Sequence, residues 1–284
     1  MSFANFRRGA AVGRQHLPRC LMACGLFALS LGLPAAAVAV AEDGVRAAAA
    51  APPPCTYSAD LARLDHPLSH VAARLASGQP VKIVAIGSSS TAGAGASSPA
   101  ASYPSRLAVE LARRLHNDQI TVVNKGANGE EASDMLARFD KDVIAENPDL
   151  VLWQAGTNGL LRDVEADGTA ALINEGVRRL KAAGADVVLI DPQFAPRVLA
   201  KPGAEDLVVR LANIAKANNV VVFRRYALMR QWHETQGLPF ETFISGDGLH
   251  MNDWSYACVA RALSVAIADA GTRPTATAAV RPQR

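Results

Sequence analysis

The stretch VKIVAIGSSSTAGAG, residues 81–95, decides the fold. Its first seven residues are apolar apart from Lys82 and close on Gly87, the pattern of a parallel strand buried on both faces. Behind them comes a turn of serine, glycine and alanine. Such a turn serves one of two chemistries: it cradles a phosphate, or one of its hydroxyls attacks. The phosphate reading is the weaker. The turn lacks the lysine of a P-loop, and GAGASS at 93–98 ends in serine where G-x-G-x-x-G needs glycine.

Outward from this stretch the pattern repeats. Apolar runs bounded by turn residues recur at ITVVNKG (120–126), DLVLWQAG (149–156), DVVLIDP (186–192) and NVVVF (219–223). Amphipathic segments alternate with them. YPSRLAVELARRLH (103–116) sets Leu107, Leu111 and Leu115 on one stripe; ASDMLARFDKDVIAEN, ALINEGVRRLKAAG and AEDLVVRLANIAKANN have comparable faces. Further helices are predicted over about 58–77 and about 254–269. The series predicts an α/β fold, a three-layer α/β/α sandwich around a mostly parallel five-stranded sheet. Sites in such sheets form where loops leave the carboxyl ends of the strands.

With 284 residues, 50% of them hydrophobic and 19% charged, the chain is long enough for one well-packed domain. The formal charge of +3 is unevenly placed. Arg7, Arg8, Arg14 and Arg19 precede residue 42 with no acid among them, so the remainder is close to neutral and has no overall footprint for nucleic acid. Residues 1–41 read as a signal peptide: a basic start, the apolar CLMACGLFALSLGL, then the small-residue PAAAVAVA with cleavage near Ala39 or Ala41. The competing reading is an uncleaved membrane anchor, against which stands the short apolar core. Export would make the product periplasmic or secreted, with no stable membrane insertion after cleavage. Residues 42–56, rich in alanine and proline, read as a disordered linker or N-terminal arm, 57–270 as the folded domain, and 271–284 as a disordered tail. Cys20 and Cys24 would leave with the signal. Cys55 and Cys258 remain, and an oxidising compartment permits a disulfide between them, two unpaired thiols being the alternative. No spacing suggests a zinc site, and no metal or cofactor is expected.

Four segments at the expected strand ends carry chemistry: GSSSTAG (87–93), NKGANGEEASDML (124–136), QAGTNGLL (154–161) and SGDGLHMND (245–253). They offer a hydroxyl, glycine N–H groups, a side-chain amide and an acid–histidine pair. A serine hydroxyl becomes a useful nucleophile only when a base takes its proton. His250 can do so if Asp247, three residues away, fixes its other ring nitrogen. Negative charge developing on an attacked ester carbonyl needs donors aimed at that oxygen.

These four blocks, in this order, resemble the SGNH (GDSL-type) hydrolase family over roughly residues 80–270. The resemblance implies a flavodoxin-like α/β fold with Ser89 as nucleophile and Asp247 and His250 as acid and base. It further implies an oxyanion hole made by the Ser89 and Gly129 N–H groups and the Asn158 amide. Ser88 stands where the family usually carries an aspartate that orders the nucleophile loop, and Gly159 where an aspartate often follows G-T-N. Ser88 is expected to order the loop through shorter hydrogen bonds, or the loop is arranged differently.

Around this set, Trp153 reads as core or pocket wall, and Gln193 and Phe194 in DPQFAP as substrate-pocket lining or loop packing. His66, His70, His116 and His233 match no motif and read as structural or surface residues. Arg224 and Arg225 either neutralise an anionic substrate or lie on a solvated face. The function implied is an exported serine esterase acting on a small-molecule or glycan ester, with short acyl groups such as O-acetyl foremost, through an acyl-enzyme on Ser89. Two readings stand beside it: acyl transfer to a sugar hydroxyl by the same residues, and a non-catalytic carbohydrate-binding protein on the same fold.

Overall fold

Strands β1 (Val81–Gly87), β2 (Ile120–Gly126), β3 (Leu150–Gln154), β4 (Asp186–Ile190) and β5 (Val221–Phe223) form one sheet in the order β2-β1-β3-β4-β5. Every pairing is parallel. These positions come from a computed structural model that describes residues 51–273. The signal-peptide reading of 1–41, the linker as far as residue 50 and the tail from 274 lie outside the described residues.

Alternation along the strands builds two cores. Ile83, Ala85, Leu150 and Leu152 face one side, where α1 (Ser69–Ala76), α3 (Tyr103–Leu115), α10 (Arg225–Arg230) and α12 (Asp253–Thr272) pack. Val84, Ile86, Val151 and Trp153 face the other, under α4 (Ala132–Ala137), α5 (Phe139–Asp142), α7 (Ala166–Ala182) and α9 (Ala204–Ala217). Short helices α2 (Ser89–Ala92), α6 (Thr157–Leu161), α8 (Pro196–Leu199) and α11 (Phe240–Phe243) complete the connections. In α3, Leu107 and Leu111 are wholly buried while Val109 faces water, as the helical period requires. Each such leucine contributes roughly 1.5–3 kcal/mol of transfer free energy.

Two expected helices are interrupted. The single helix over 58–77 is instead a 3₁₀ turn, Ala59–Ala62, followed by α1. Pro67 lies between them, and proline inside a helix removes a hydrogen bond and clashes with the preceding turn. The segment after β2 breaks at Arg138 into α4 and α5. That guanidinium is drawn to Glu130, to the Lys125 carbonyl and to Asp142, and the break seats Phe139 edge-on against Trp153 at 4.9 Å between ring centroids. The last helix starts where Asn252 and Ser255 form a capping box and runs to Thr272.

Residues 53–56 are docked near the start of α12. Trp254 Nε1–H donates to the Pro53 carbonyl at 2.8 Å and Trp232 Nε1–H to the Thr56 carbonyl at 3.1 Å. Cys55 is bridged to Cys258 of α12, with Cα atoms 5.5 Å apart.

What places the site is the register at the carboxyl edge. Gly87 lies level with Gly126, Ile86 with Trp153, and Gln154 with Ile190. The loops after β1, β2, β3 and β4 therefore leave from one rim. Connections run outward on either side of β1, the reversal at which such sheets place their sites.

Candidate active site

β1 ends and α2 begins within two residues, which lifts Ser89 onto the rim as the first residue of a short helix. Its N–H lies in the first turn, where no preceding helical carbonyl claims it. Ser88 ties this turn to the end of β3: its N–H and its hydroxyl both donate to Gln154 Oε1 at 3.1 Å. Gln154 was not singled out from sequence. Its one signal is a polar residue closing the otherwise apolar LVLWQ.

The second half of the site is the loop before α12. Ser245 N–H donates to the His250 carbonyl at 2.8 Å, and Ile244 pairs antiparallel with Met251, closing a tight loop. Inside it Asp247 Oδ1 accepts the N–H groups of Leu249 and His250 and the Ser245 hydroxyl, each at 2.9 Å, while Oδ2 meets His250 Nδ1. His250 Nε2 then faces Ser89 Oγ at 2.8 Å. Ser89, His250 and Asp247, 161 and three residues apart, thus form one continuous chain of contacts. Partial burial pushes the Asp247 carboxyl up, but the bonds from His250, Leu249 and Ser245 together outweigh it and hold the group well below the usual carboxylate range. The carboxylate stays ionised beside the imidazole.

Two loops supply donors. Asn158, in α6, donates one Nδ2–H to the Glu130 carbonyl at 2.8 Å, tying the turn after β3 to the turn after β2 and leaving its second N–H available. Gly129 has φ +79°, and its carbonyl accepts Arg162 Nη2–H at 2.9 Å. A Cβ at 129 would meet only Arg162 Nη2, at 3.5 Å, so within the protein the left-handed backbone is what requires glycine there. Crowding does operate at Gly95, which sequence reading passed over. A Cβ there would come 2.4 Å from the Met251 carbonyl and 3.0 Å from His250 Cβ, so the loop after β1 and the histidine loop touch at this residue. The Tyr256 hydroxyl adds a second tie, donating to the Ala94 carbonyl at 2.7 Å.

Several expectations need correction. Trp153 is fully buried beneath α7 and donates Nε1–H to Met135 Sδ at 3.2 Å, so it is core and not pocket wall. Phe194 is buried in a cluster with Tyr226 and Phe240, and Gln193 is only 2% exposed. The loop after β4 runs beneath the histidine loop, where Gln193 Nε2–H donates to the Leu249 carbonyl. Arg225, placed from sequence on a solvated face or against an anionic substrate, is fully buried instead; Arg224 is exposed and reaches Asp60 at 3.5 Å. His70 and His233 take the structural roles assigned to them, on Asp149 and on the Phe240 ring. A cavity of about 470 Å³ lies beside the turns that follow β2 and β3, lined by Glu131, Gly159, Val164, Thr169 and Leu172 among others. Among the described residues, no group of three or more His, Cys, Asp or Glu could hold a metal ion.

Comparison with known proteins agrees with this layout. The Vibrio mimicus arylesterase is 25% identical over 157 residues, 52% of this chain and 70% of the relative. Axe2, an acetylxylan esterase from Geobacillus stearothermophilus, superimposes with a TM-score of 0.54 at 22% identity, covering 65% of this chain and 94% of its own. LAE5, an α/β hydrolase enzyme from the metagenome of Lake Arreo, gives 0.56 at 21% identity over 69% of this chain and 97% of its own. At such identities the two structures speak for the fold. The model of the non-GDSL lipase-like family matches residues 54–273, from the docked arm to the end of α12. The chain belongs to the non-GDSL lipase-like family, on the framework of the SGNH/GDSL-type hydrolases.

Proposed function

We propose that the protein is an exported serine esterase that hydrolyses carboxylic esters through an acyl-enzyme on Ser89. The observation that carries this reading is the contact of Ser89 Oγ with His250 Nε2 at 2.8 Å, with the opposite ring nitrogen on Asp247. Ser89 Oγ attacks the ester carbonyl as its proton passes to Nε2. The Ser89 and Gly129 N–H groups and the free Asn158 N–H take the charge on the carbonyl oxygen. The imidazolium, steadied by Asp247, then protonates the leaving alcohol. Water gives its proton to His250, attacks the acyl carbon, and the Ser89 hydroxyl is restored as the acid departs.

Short acyl groups, O-acetyl on carbohydrate foremost, are the substrate class. Support comes from the acetylxylan esterases among the structural neighbours, and from two Axe2 structures described as catalytic mutants, one lacking a serine and one a histidine. Export is supported by the basic–apolar–small-residue order of residues 1–41 and by the Cys55–Cys258 bridge, a bond that persists in oxidising compartments. No helix among the described residues is long and apolar enough to cross a membrane. Hydrolysis of p-nitrophenyl esters from acetate to palmitate, then of acetylated glycans, tests the reading. The expected result is highest kcat/KM at acetate with release of acetate from the glycan; a preference for palmitate, or no turnover of any ester, would contradict it.

A further inference from the structure

The peptide bond in front of His250 is gripped at both ends. Its N–H, on His250, donates to Asp247 Oδ1 at 2.9 Å, and its carbonyl, on Leu249, accepts Gln193 Nε2–H at 3.2 Å. One residue earlier the Gly248 carbonyl accepts the Arg197 N–H at 3.0 Å. Asp247 therefore holds the loop from within while the segment after β4 holds it from beneath. Gln193 is itself fixed: its Oε1 accepts Arg225 Nη2–H at 3.1 Å, and Arg225 Nε–H donates to the Asp191 carbonyl at 2.9 Å.

This support is costly. Arg225 is fully buried, and its Nη1 has no hydrogen-bond partner. An apolar side chain of similar volume would fill the same space without desolvating a guanidinium. Packing alone does not account for an arginine here. Orientation does: turning the Leu249–His250 peptide plane would swing the imidazole, and displacements near 1 Å from a reacting geometry cost on the order of a hundredfold in rate.

We propose that Gln193, locked by Arg225, is a positioning residue that aims the His250 ring at Ser89 by fixing the Leu249 carbonyl. The inference rests on the catalytic reading above. It is tested with Gln193→Met, which keeps length and bulk and loses both hydrogen bonds, in steady-state kinetics and in the rate at which a fluorophosphonate labels Ser89. The expected result is a fall in kcat on the order of tenfold to a hundredfold with KM unchanged, a parallel fall in labelling rate, and an unaltered near-ultraviolet circular dichroism spectrum. Gln193→Glu, which keeps the acceptor for Arg225 but turns an oxygen toward the Leu249 carbonyl, falls at least as far. Unchanged kcat and labelling in folded Gln193→Met, with only the melting temperature moved, would overturn the proposal. Should that variant not accumulate folded, Arg225→Lys, which keeps the charge and loses the fork to Gln193, reads the same link with the same outcomes. A wild-type protein that hydrolyses no ester and takes no label at Ser89 would instead sink the catalytic reading itself.

Discussion

Among the described residues two histidines touch an aspartate, at opposite ends of the sheet, and only one pair belongs to a candidate active site. At the amino end, His70 Nε2 lies 3.0 Å from Asp149 Oδ1, beside a cavity of about 560 Å³ that is larger than the one lined by Glu131 and Gly159. Asp149 is also approached by Arg74 Nε at 3.2 Å and accepts the Lys82 N–H at 2.7 Å. The neighbouring Asp186 accepts the N–H groups of His70 and Val71, capping the start of α1. Here carboxylates hold a helix to strand starts, and the imidazole spends Nε2 on the acid. At the carboxyl end His250 gives Nδ1 to Asp247 and keeps Nε2 for a serine. Neither the acid–histidine contact nor the cavity size marks the site. The ring nitrogen left over, and what it faces, does.

The contrast is easiest to break with the largest expected effect. Ser89→Ala and His250→Ala should each lower kcat/KM at least about a thousandfold, and the double variant should be little worse than either, because the two act as a unit. His70→Ala should leave kcat/KM unaltered and lower only thermal stability; an equal loss of activity there would erase the distinction. Next, Asn158→Ala should cost about 10²–10³ in kcat, the loss typical of one oxyanion donor, and steady-state kinetics will show whether the amide serves the reaction or only ties two turns together. Gly95→Ala sharpens the picture at the seam between the loops. With φ +86° and the Met251 carbonyl 2.4 Å from a new Cβ, it should push the histidine loop away and reduce kcat by roughly tenfold or more.

The remaining effects fall on stability. Replacing Cys55 and Cys258 by serine frees the arm from α12 and should cost about 2–5 kcal/mol in denaturant unfolding, with kcat per folded molecule retained. A second effect on stability is a pH dependence beneath the site. Burial pushes the Asp191 carboxyl up to about 7 from 3.8, against the lowering pull of the Tyr226 N–H bond and the Arg225 charge. Between those values the folded chain keeps a proton that the unfolded chain has released, so stability falls as pH rises from about 4 to about 7 and levels off above. Asp191→Asn should remove that slope from unfolding curves recorded across the interval.

The parts of this molecule legible in the sequence are those written in local pattern. Five apolar runs gave five strands, because parallel strands covered on both faces are continuous in hydrophobicity. Ser89 and Asn158 were legible as candidates because they stand in short motifs just after strands, and Asp247 and His250 because they share one short motif before α12. What escaped is polar support whose partners are distant in sequence. Gln154 meets Ser88 across 66 residues and Gln193 meets Leu249 across 56, and nothing local at either glutamine announces the contact. Arg225 was misplaced for the same reason: an arginine beside another arginine looks solvated until the fold turns one of the pair inward. Pro67 is different. A proline within the 58–77 span is a local sign of a helix break, and the expectation of a single helix there passed over it.

The central claim is that the Ser89 hydroxyl forms the covalent bond. Mixing the protein with p-nitrophenyl acetate, quenching in acid within the first turnover and mapping the peptides by mass spectrometry reads this directly. One acetyl group on Ser89, absent in Ser89→Ala and slowed in His250→Ala, is the predicted result. Acetyl on Ser88 or Ser90, or undiminished turnover by Ser89→Ala, would contradict it.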